Sequence, residues 1–253
     1  MSLAAEVAAL LPRRHNAGWT LSPASAGARP VARLNNGPRH FLLVTDSGHT
    51  TLHAADVSLT VAGSAPAAVA SAALRSLLPR IDGAVDASPA KQPHRLVYLA
   101  EVDTRLRELG TLAQHFGRAD NTTRLAWQYG DATVSFTLHG ACATGSVSFA
   151  GGLETLERFL APFLPPHPGP GRVRAAPPRG CGGVARRIVA AYPHAVEADT
   201  DGLVRFEDAD GGPLQGWVMP RNVNGSVGPM TPVTAGIIGA GVDLVLSALP
   251  TIT

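Results

Sequence analysis

The sequence predicts an α+β fold in which an antiparallel β-meander followed by a helix occurs twice, with a third helix-hairpin-helix segment after the second copy. One observation is a change of hydrophobic period, from two in the meanders to the helical period directly after them. Another is a matching junction, since Thr60-Val61-Ala62-Gly63 and Ser148-Phe149-Ala150-Gly151 each precede an apolar helix. These helices end in Leu77-Leu78-Pro79 and Phe163-Leu164-Pro165. We therefore predict a duplicated αβββα unit.

The first αβββα repeat is expected over residues 1–86. Ser2 can cap a short amphipathic helix that Pro12 ends. Pro66 suits the first turn of a second helix, which Pro79 ends. Between the two helices, turn residues separate extended stretches over residues 19–21, 31–34, 40–45, 50–54 and 57–62.

The second αβββα repeat is expected over residues 91–166. Residues 96–99 fit either a short strand or the lead into a helix that Asp103 caps and Gly117 ends. Turns around residues 129–131 and Gly140 separate the strands that follow, and an apolar helix closes the repeat. The expected strands and helix cover residues 124–128, 133–138, 147–150 and 153–163.

A linker and a third segment complete the predicted domain organisation. Residues 167–183 are rich in proline, glycine and arginine, which favours an extended linker. Residues 184–253 are expected to form a C-terminal α+β segment that starts with a helix and a hairpin, a hint of a third, diverged copy. The apolar run over residues 233–249 is interpreted as the covering C-terminal helix.

The composition predicts a globular protein. Hydrophobic residues make up 45% of the chain and charged residues 16%, with a mean hydropathy of +0.10, which suffices to bury a core. Lys91 is the single lysine among 21 basic residues, so arginine supplies nearly all of the positive charge. Because the net charge is only +2, no dedicated polyanion-binding tail is predicted.

Cysteine usage and the apolar pattern predict a cytoplasmic protein. Cys142 and Cys181 form no CxxC pair and are expected to be free thiols. The first helix contains Glu6 and lacks the features of a signal peptide. Asp243 interrupts the most apolar run of the chain, so we expect a buried segment there and no membrane span.

A cluster of histidines is the candidate metal site. No phosphate-binding loop, dinucleotide fingerprint, nucleophile elbow or zinc-protease motif occurs, which favours a protein without enzymatic activity and without a cofactor. His49 and His53 are four residues apart on a turn and a strand, which places them on the same side. With His40 and Asp46 nearby, they could bind a metal ion. The alternative is a set of polar residues on a half-exposed sheet.

Arginines in the linker and the next helix are the candidate contacts to nucleic acid or to a protein partner. No acidic residue separates them, so the segment could follow a phosphate backbone. Because this segment has no aromatic residue, base stacking would have to come from Trp127 and Tyr129 on the second sheet. The alternatives are a solvated linker and, for the tryptophans of the chain, a role as core anchors. The candidate arginines are Arg172, Arg174, Arg179, Arg186 and Arg187.

Several short strings occur in a fixed order within residues 10–80. They are Gly18-Trp19, Pro38-Arg39-His40, Leu52-His53-Ala54, residues 57–62, Ser64-Ala65-Pro66 and Leu77-Leu78. This order resembles a family of domains of unknown function that is frequent in actinobacterial genomes and their conjugative plasmids. Residues 105–165 resemble it more loosely, and members often carry two copies. The resemblance implies no catalytic residue; it implies a binding or accessory role in handling DNA or protein partners.

We therefore expect a non-enzymatic binding or assembly module, in contact with nucleic acid or a protein partner. Self-association through exposed strand edges is compatible with this role. One alternative is a structural subunit of a phage-like or other large assembly. Another alternative is a metal-dependent hydrolase that uses the histidine and aspartate cluster.

Overall fold

A computed structural model shows the arrangement of most of the chain. Within the described residues the chain forms two antiparallel sheets and a set of helices, which confirms the predicted α+β class. No described helix has both the length and the apolar character needed to cross a membrane. The described residues are 1–14, 16–26, 29–86, 95–118, 121–138, 144–164, 179–207, 213–220 and 227–253, with Ala176.

The first unit begins with α1 (Leu3–Leu10), whose N-terminal end Ser2 caps by accepting a hydrogen bond from the Ala5 amide at 3.3 Å. The five stretches predicted from their bounding turns are all strands. This is more than the three strands of the predicted repeat. They are β1 (Thr20–Ala26), β2 (Arg29–Asn36), β3 (Arg39–Asp46), β4 (His49–Ala54) and β5 (Val57–Ala62).

A long, continuous helical segment closes the first unit. It consists of α2 (Pro66–Ala72), a π-helical turn (Ala73–Leu77) and α3 (Leu78–Asp86). The prediction that Pro79 ends this helix is wrong. Proline has no amide hydrogen and its ring crowds the preceding turn, and the wider π turn directly before Pro79 makes room for it.

The second unit runs from α4 (Arg95–Glu108) to α5 (Leu153–Leu160). The predicted helix is present, but its expected bounds, Asp103 and Gly117, are wrong, because α4 starts earlier and ends before Gly110, whose φ of 81° is unsuited to a right-handed helix. Residues expected at the end of that helix form a strand instead. The four strands are β6 (Gln114–Arg118), β7 (Asn121–Tyr129), β8 (Ala132–Leu138) and β9 (Thr144–Gly152).

The third unit repeats this order of helix, four strands and helix. The apolar run expected to be one helix is a strand followed by a short helix. Glycine and β-branched residues disfavour helix in its first half, and Gly239, with φ of 77°, forms a β-bulge there. The elements are α6 (Gly182–Ala191), β10 (Glu197–Ala198), β11 (Val204–Glu207), β12 (Gln215–Pro220), β13 (Pro232–Gly241) and α7 (Val242–Ala248).

Of the predicted linker over residues 167–183, only Ala176 and residues 179–183 are described, and α6 already includes the last two of these. Cys181, directly before that helix, is buried as a free thiol. Cys142 lies outside the described residues.

The strands form two separate sheets. Strands β1 to β5 pair in sequence order in a five-stranded sheet. The second and third units share an eight-stranded sheet, because their last strands, β9 and β13, pair antiparallel along their whole length. The last strands of the two units therefore meet at the boundary between the units, which we call the seam. This pairing is expected if an approximate twofold axis perpendicular to the sheet relates the two units.

Helices occupy the layer between the two sheets. The π-helical turn contacts β4 of one sheet and β13 of the other, and α3 contacts β3 and β13 in the same way. Each sheet turns its apolar face towards this layer, where Phe41, Leu52, Phe136, Phe149 and Ile237 are fully buried. The opposite face of each sheet points outward.

Candidate binding face and the junction behind it

The structure places the predicted metal ligands on one face of the five-stranded sheet but does not bring them together. His53 pairs with Leu42 and His49 pairs with Asp46, so these side chains share the outward face with His40. Four residues along a strand separate His49 from His53 by about 13 Å. Among the described residues, no group of three or more His, Cys, Asp or Glu side chains is placed to hold a metal ion.

The three described arginines of the predicted contact segment differ in their surroundings. Arg172 and Arg174 lie outside the described residues, and Arg179 is exposed in a turn before α6. Arg186 is exposed and its Nε donates to the Gly182 carbonyl at 3.3 Å. Arg187 instead packs α6 against α5.

The partner of Arg187 is a glutamate of the second unit. Nε and Nη2 of Arg187 donate to the two carboxylate oxygens of Glu157 at 2.6 and 2.7 Å. This hydrogen-bonded pair raises the pKa of Arg187. Tyr192 also donates from its hydroxyl to the Glu157 carbonyl, and burial together with the Glu157 charge raises the pKa of Tyr192. Arg187 is therefore occupied within the chain.

The aromatic pair proposed for base stacking is buried. Trp127 is 2% exposed, and its indole Nε1 donates to the Ile252 carbonyl at 2.9 Å. Tyr129 is 9% exposed. Both side chains belong to the core, so neither can stack on a nucleic-acid base without a rearrangement of β7.

The outward face of the eight-stranded sheet carries a contiguous apolar patch. Trp217 and Met219 alternate along β12 on this face, and Ile238 of β13 lies diagonally opposite Trp217. Met219 is 50% exposed and Ile238 is 55% exposed, whereas Trp217 is half-buried. We call these three residues the Trp217 patch.

A glycine holds the indole of Trp217 flat against the sheet. Gly236 pairs with Trp217, and a Cβ atom at Gly236 would lie 2.7 Å from the Cε2 and Nε1 atoms of that indole. The ring therefore covers the Gly236 backbone. Arg205, which pairs with Trp217 on the other side, is exposed, and its Nη2 lies 4.0 Å from Oδ2 of Asp199.

A buried charge cluster joins the three units. Its members are Arg14, Arg39 and Asp82 from the first unit, Glu101 from α4 and Asp243 from α7. Oδ2 of Asp243 accepts from Nη1 of Arg39 at 2.6 Å and from Nη1 of Arg14 at 3.1 Å. Nε of Arg14 donates to Oε2 of Glu101 at 2.6 Å.

The carboxylates of the buried charge cluster keep Arg14 ionised. Burial by itself lowers the pKa of Arg14, but the charges of Asp243, Glu101 and Asp82 outweigh it and raise the pKa above its usual value. Arg14 also lies over the Tyr98 ring, with 4.7 Å between its Cζ and the ring centroid. Oδ1 of Asp243 is buried without a hydrogen-bond partner among the described residues.

An open cleft of about 820 Å³ lies beside this cluster, between α1, α4 and α7. Its lining is mixed, with Leu11 and Leu246 beside polar residues such as Thr104 and Ser247. Most charges along the cleft are already paired within the chain: Glu101 with Arg14, and Arg105 with Glu108 at 2.7 Å. Of the four charged residues described along the cleft, three are therefore engaged within the chain.

Comparison with protein-family models, with curated proteins and with solved structures returns no match for this chain. The resemblance to the actinobacterial family therefore stays a prediction, and the function has to be argued from geometry.

The sequence-based reasoning missed the Trp217 patch and the buried charge cluster. The core-anchor role that was the alternative for the tryptophans holds for Trp19 and Trp127 but not for Trp217. Strand alternation could have revealed this, because Gly216 and Val218 are the buried neighbours of Trp217. The cluster left no such signal, because its members are far apart in the sequence.

Proposed function

We propose that this protein is a non-enzymatic binding module whose partner is another protein, held on the outward face of the eight-stranded sheet. The observation that carries the proposal is the Trp217 patch. Exposed apolar side chains scattered one by one are ordinary, but here an aromatic residue, a methionine and an isoleucine are adjacent on a flat face. Tryptophan, methionine and arginine are enriched in protein interfaces.

The chemistry of the patch specifies the partner surface. An apolar area would cover Trp217, Met219 and Ile238, and a carboxylate beside it would pair with Arg205, whose side chain is 70% exposed. The indole is already held by Gly236, so little side-chain entropy is lost when a partner covers it. Trp217 is therefore the expected centre of the binding energy.

The test begins with affinity capture from the source cells and ends with purified components. The captured protein, once purified, should bind the wild type in a defined stoichiometry by calorimetry. Trp217→Ala should weaken binding by at least about 2 kcal/mol, which is about thirtyfold in Kd. Gln128→Ala, on the same sheet face but four strands away from β12, is the matched control and should bind normally.

Two outcomes would remove the proposal. One is a purified partner whose Kd is the same for the wild type and for Trp217→Ala. The other is binding to single- or double-stranded oligonucleotides that falls steeply with salt while no protein partner is found, since this dependence is characteristic of phosphate contacts.

A further inference from the structure

The last strand of the first unit pairs differently from the last strands of the other two units. In the second and third units, β9 and β13 lead directly into α5 and α7 and pair with each other. The corresponding strand of the first unit, β5, leads into α2 but is the edge of its sheet. Three units with one seam leave one last strand without a partner on its outer side among the described residues.

The side chains of β5 show the effect of the missing neighbour. On the inward face, Val147 and Phe149 of β9 are 0% and 2% exposed, and Ile237 of β13 is fully buried. The inward residues of β5 are only half-buried along its whole length. They are Val57, Leu59 and Val61.

The other edge strands are protected against pairing, as edges usually are. Strand β1 contains Pro23, which has no amide hydrogen to donate. Strand β6 is bulged between Phe116 and Gly117 and ends in Arg118. Strand β10 has two residues, one of which is Glu197. Strand β5 has no proline, no charge and no bulge in its pairing with β4.

The unprotected surface continues beyond β5. Between Asp56 and Arg75 the sequence contains no charged residue, so β5 and α2 form an uncharged edge. The exposed residues at the start of α2 are small, as with Ala65 and Ala67. No bulky or charged side chain from these residues blocks the approach of another strand. Depletion of charge is typical of the core of a stable interface.

The hydrogen-bond pattern shows which backbone groups of β5 are available. The amide of Gly63 donates to the Gly48 carbonyl at 2.8 Å, in register with the β4–β5 pairing. Bonded and non-bonded pairs alternate in an antiparallel ladder, so residues of the opposite parity direct their N–H and C=O groups away from β4. These residues are Ser58, Thr60 and Ala62.

We propose that a second copy of this chain pairs with β5 through its own β5, antiparallel and related by a twofold axis, as β13 pairs with β9 inside the chain. The register that uses all the outward groups places Thr60 opposite Thr60 of the second copy and Ser58 opposite Ala62. The result is a continuous ten-stranded sheet across the dimer. The inference goes beyond the proposed function, because it concerns the other sheet.

Sedimentation velocity over a concentration series tests the dimer. The wild type should convert from a 26.1 kDa monomer to a dimer as concentration rises. Thr60→Lys should raise the dimer dissociation constant by about tenfold or more, because like charges directly opposite each other repel. Thr60→Pro removes an outward amide, not one that bonds to β4, and should leave only monomer.

The matched control is Thr51→Lys, because Thr51 pairs with Thr60 on the same outward face but one strand away from the edge. It should dimerise like the wild type.

In an amide-exchange experiment, the N–H groups of Ser58 and Thr60 should be protected only at dimer-forming concentrations. A wild type that stays monomeric up to its solubility limit would overturn the inference. So would a dimer that resists both Thr60 variants or is weakened equally by Thr51→Lys.

Discussion

Asp131 fixes the start of α5 from the turn between β7 and β8. Its Oδ2 accepts from the Gly152 amide at 2.8 Å, and its Oδ1 accepts from the Thr155 hydroxyl. Gly152 is the N-cap residue of α5 and has no side chain that could do this. The hydrogen bond from Thr155, followed by that from Gly152, lowers the pKa of Asp131. A residue distant in sequence thus supplies the missing cap.

We expect Asp131→Asn to destabilise the protein at neutral pH and to do so less in acid. A carboxyl with a lowered pKa in the folded state stabilises the fold above its unfolded pKa, and this stabilisation is lost as the pH falls through the folded value. Urea midpoints should therefore differ between wild type and variant at pH 7, and the difference should shrink below about pH 4. Asp56→Asn, at an exposed turn, is the control; an equal pH response in both variants would contradict this role.

At the scale of elements, the bulge in β13 explains how one apolar run becomes a strand and a helix. Gly239 has a φ of 77°, and a Cβ atom there would lie 1.9 Å from the Pro213 carbonyl oxygen. The bulge separates Ile238, which faces outward, from Ala240, which is fully buried. It thereby allows β13 to end with its last residues directed at the core, where α7 begins.

Gly239→Ala should be more destabilising than an alanine at another glycine with positive φ. Gly48 has a φ of 85° but nothing within 4 Å of a built Cβ atom, so Gly48→Ala introduces backbone strain alone. We expect about 1 kcal/mol of destabilisation for Gly48→Ala and at least about 3 kcal/mol for Gly239→Ala, because the latter adds a collision with backbone. Urea unfolding of both variants provides the measurement, and equal losses would show that the bulge tolerates a side chain.

Individual strands could be predicted from sequence where turn residues bound them. The turns at Gly37 and Gly48 require the positive φ that glycine provides, so the first meander follows from the sequence. The run over residues 233–249 could not be assigned in this way, since its apolar residues fit a helix or a buried strand equally well. The neighbour that decides the matter is β9, far away in the sequence.

For the molecule as a whole, the buried charge cluster stabilises the fold as long as each of its charges keeps an oppositely charged partner. Removing one charge from a buried pair leaves the other uncompensated in a medium of low polarity. Exposed pairs such as Arg105 with Glu108 contribute little, because water screens both partners. The cluster therefore couples the first unit to the other two.

Arg39→Met should cost about 3 to 5 kcal/mol in the free energy of unfolding, because Asp243 then loses its 2.6 Å partner. The double variant Arg39→Met with Asp243→Leu should recover much of this loss, since both charges are gone. Arg105→Met is the control and should change stability by under about 1 kcal/mol. Chemical denaturation of these proteins, together with the single variant Asp243→Leu, measures the coupling, and losses of the two single variants that simply add in the double variant would show that the two residues act independently.

The order of strands in the two sheets was beyond sequence reasoning. The αβ repeat could be predicted because the first two units carry similar short sequences between their last strand and the helix that follows. No sequence feature near β9, however, indicates that it pairs with β13 and not with β5. That choice depends on complementary burial across the seam, where Phe149 and Ala235 face the same core. The Trp217 patch depends on the same choice, because it spans β12 and β13 beside the seam.

The buried charge cluster joins residues that are far apart in sequence and are therefore synthesised at different times. Arg14 is made early, yet one of its carboxylate partners, Asp243, is separated from it by 229 positions. Until the ribosome has added Asp243, the emerging first unit holds two guanidinium groups whose charges are incompletely balanced. We therefore expect the N-terminal unit to complete its buried ion pairs only after the third unit has been synthesised.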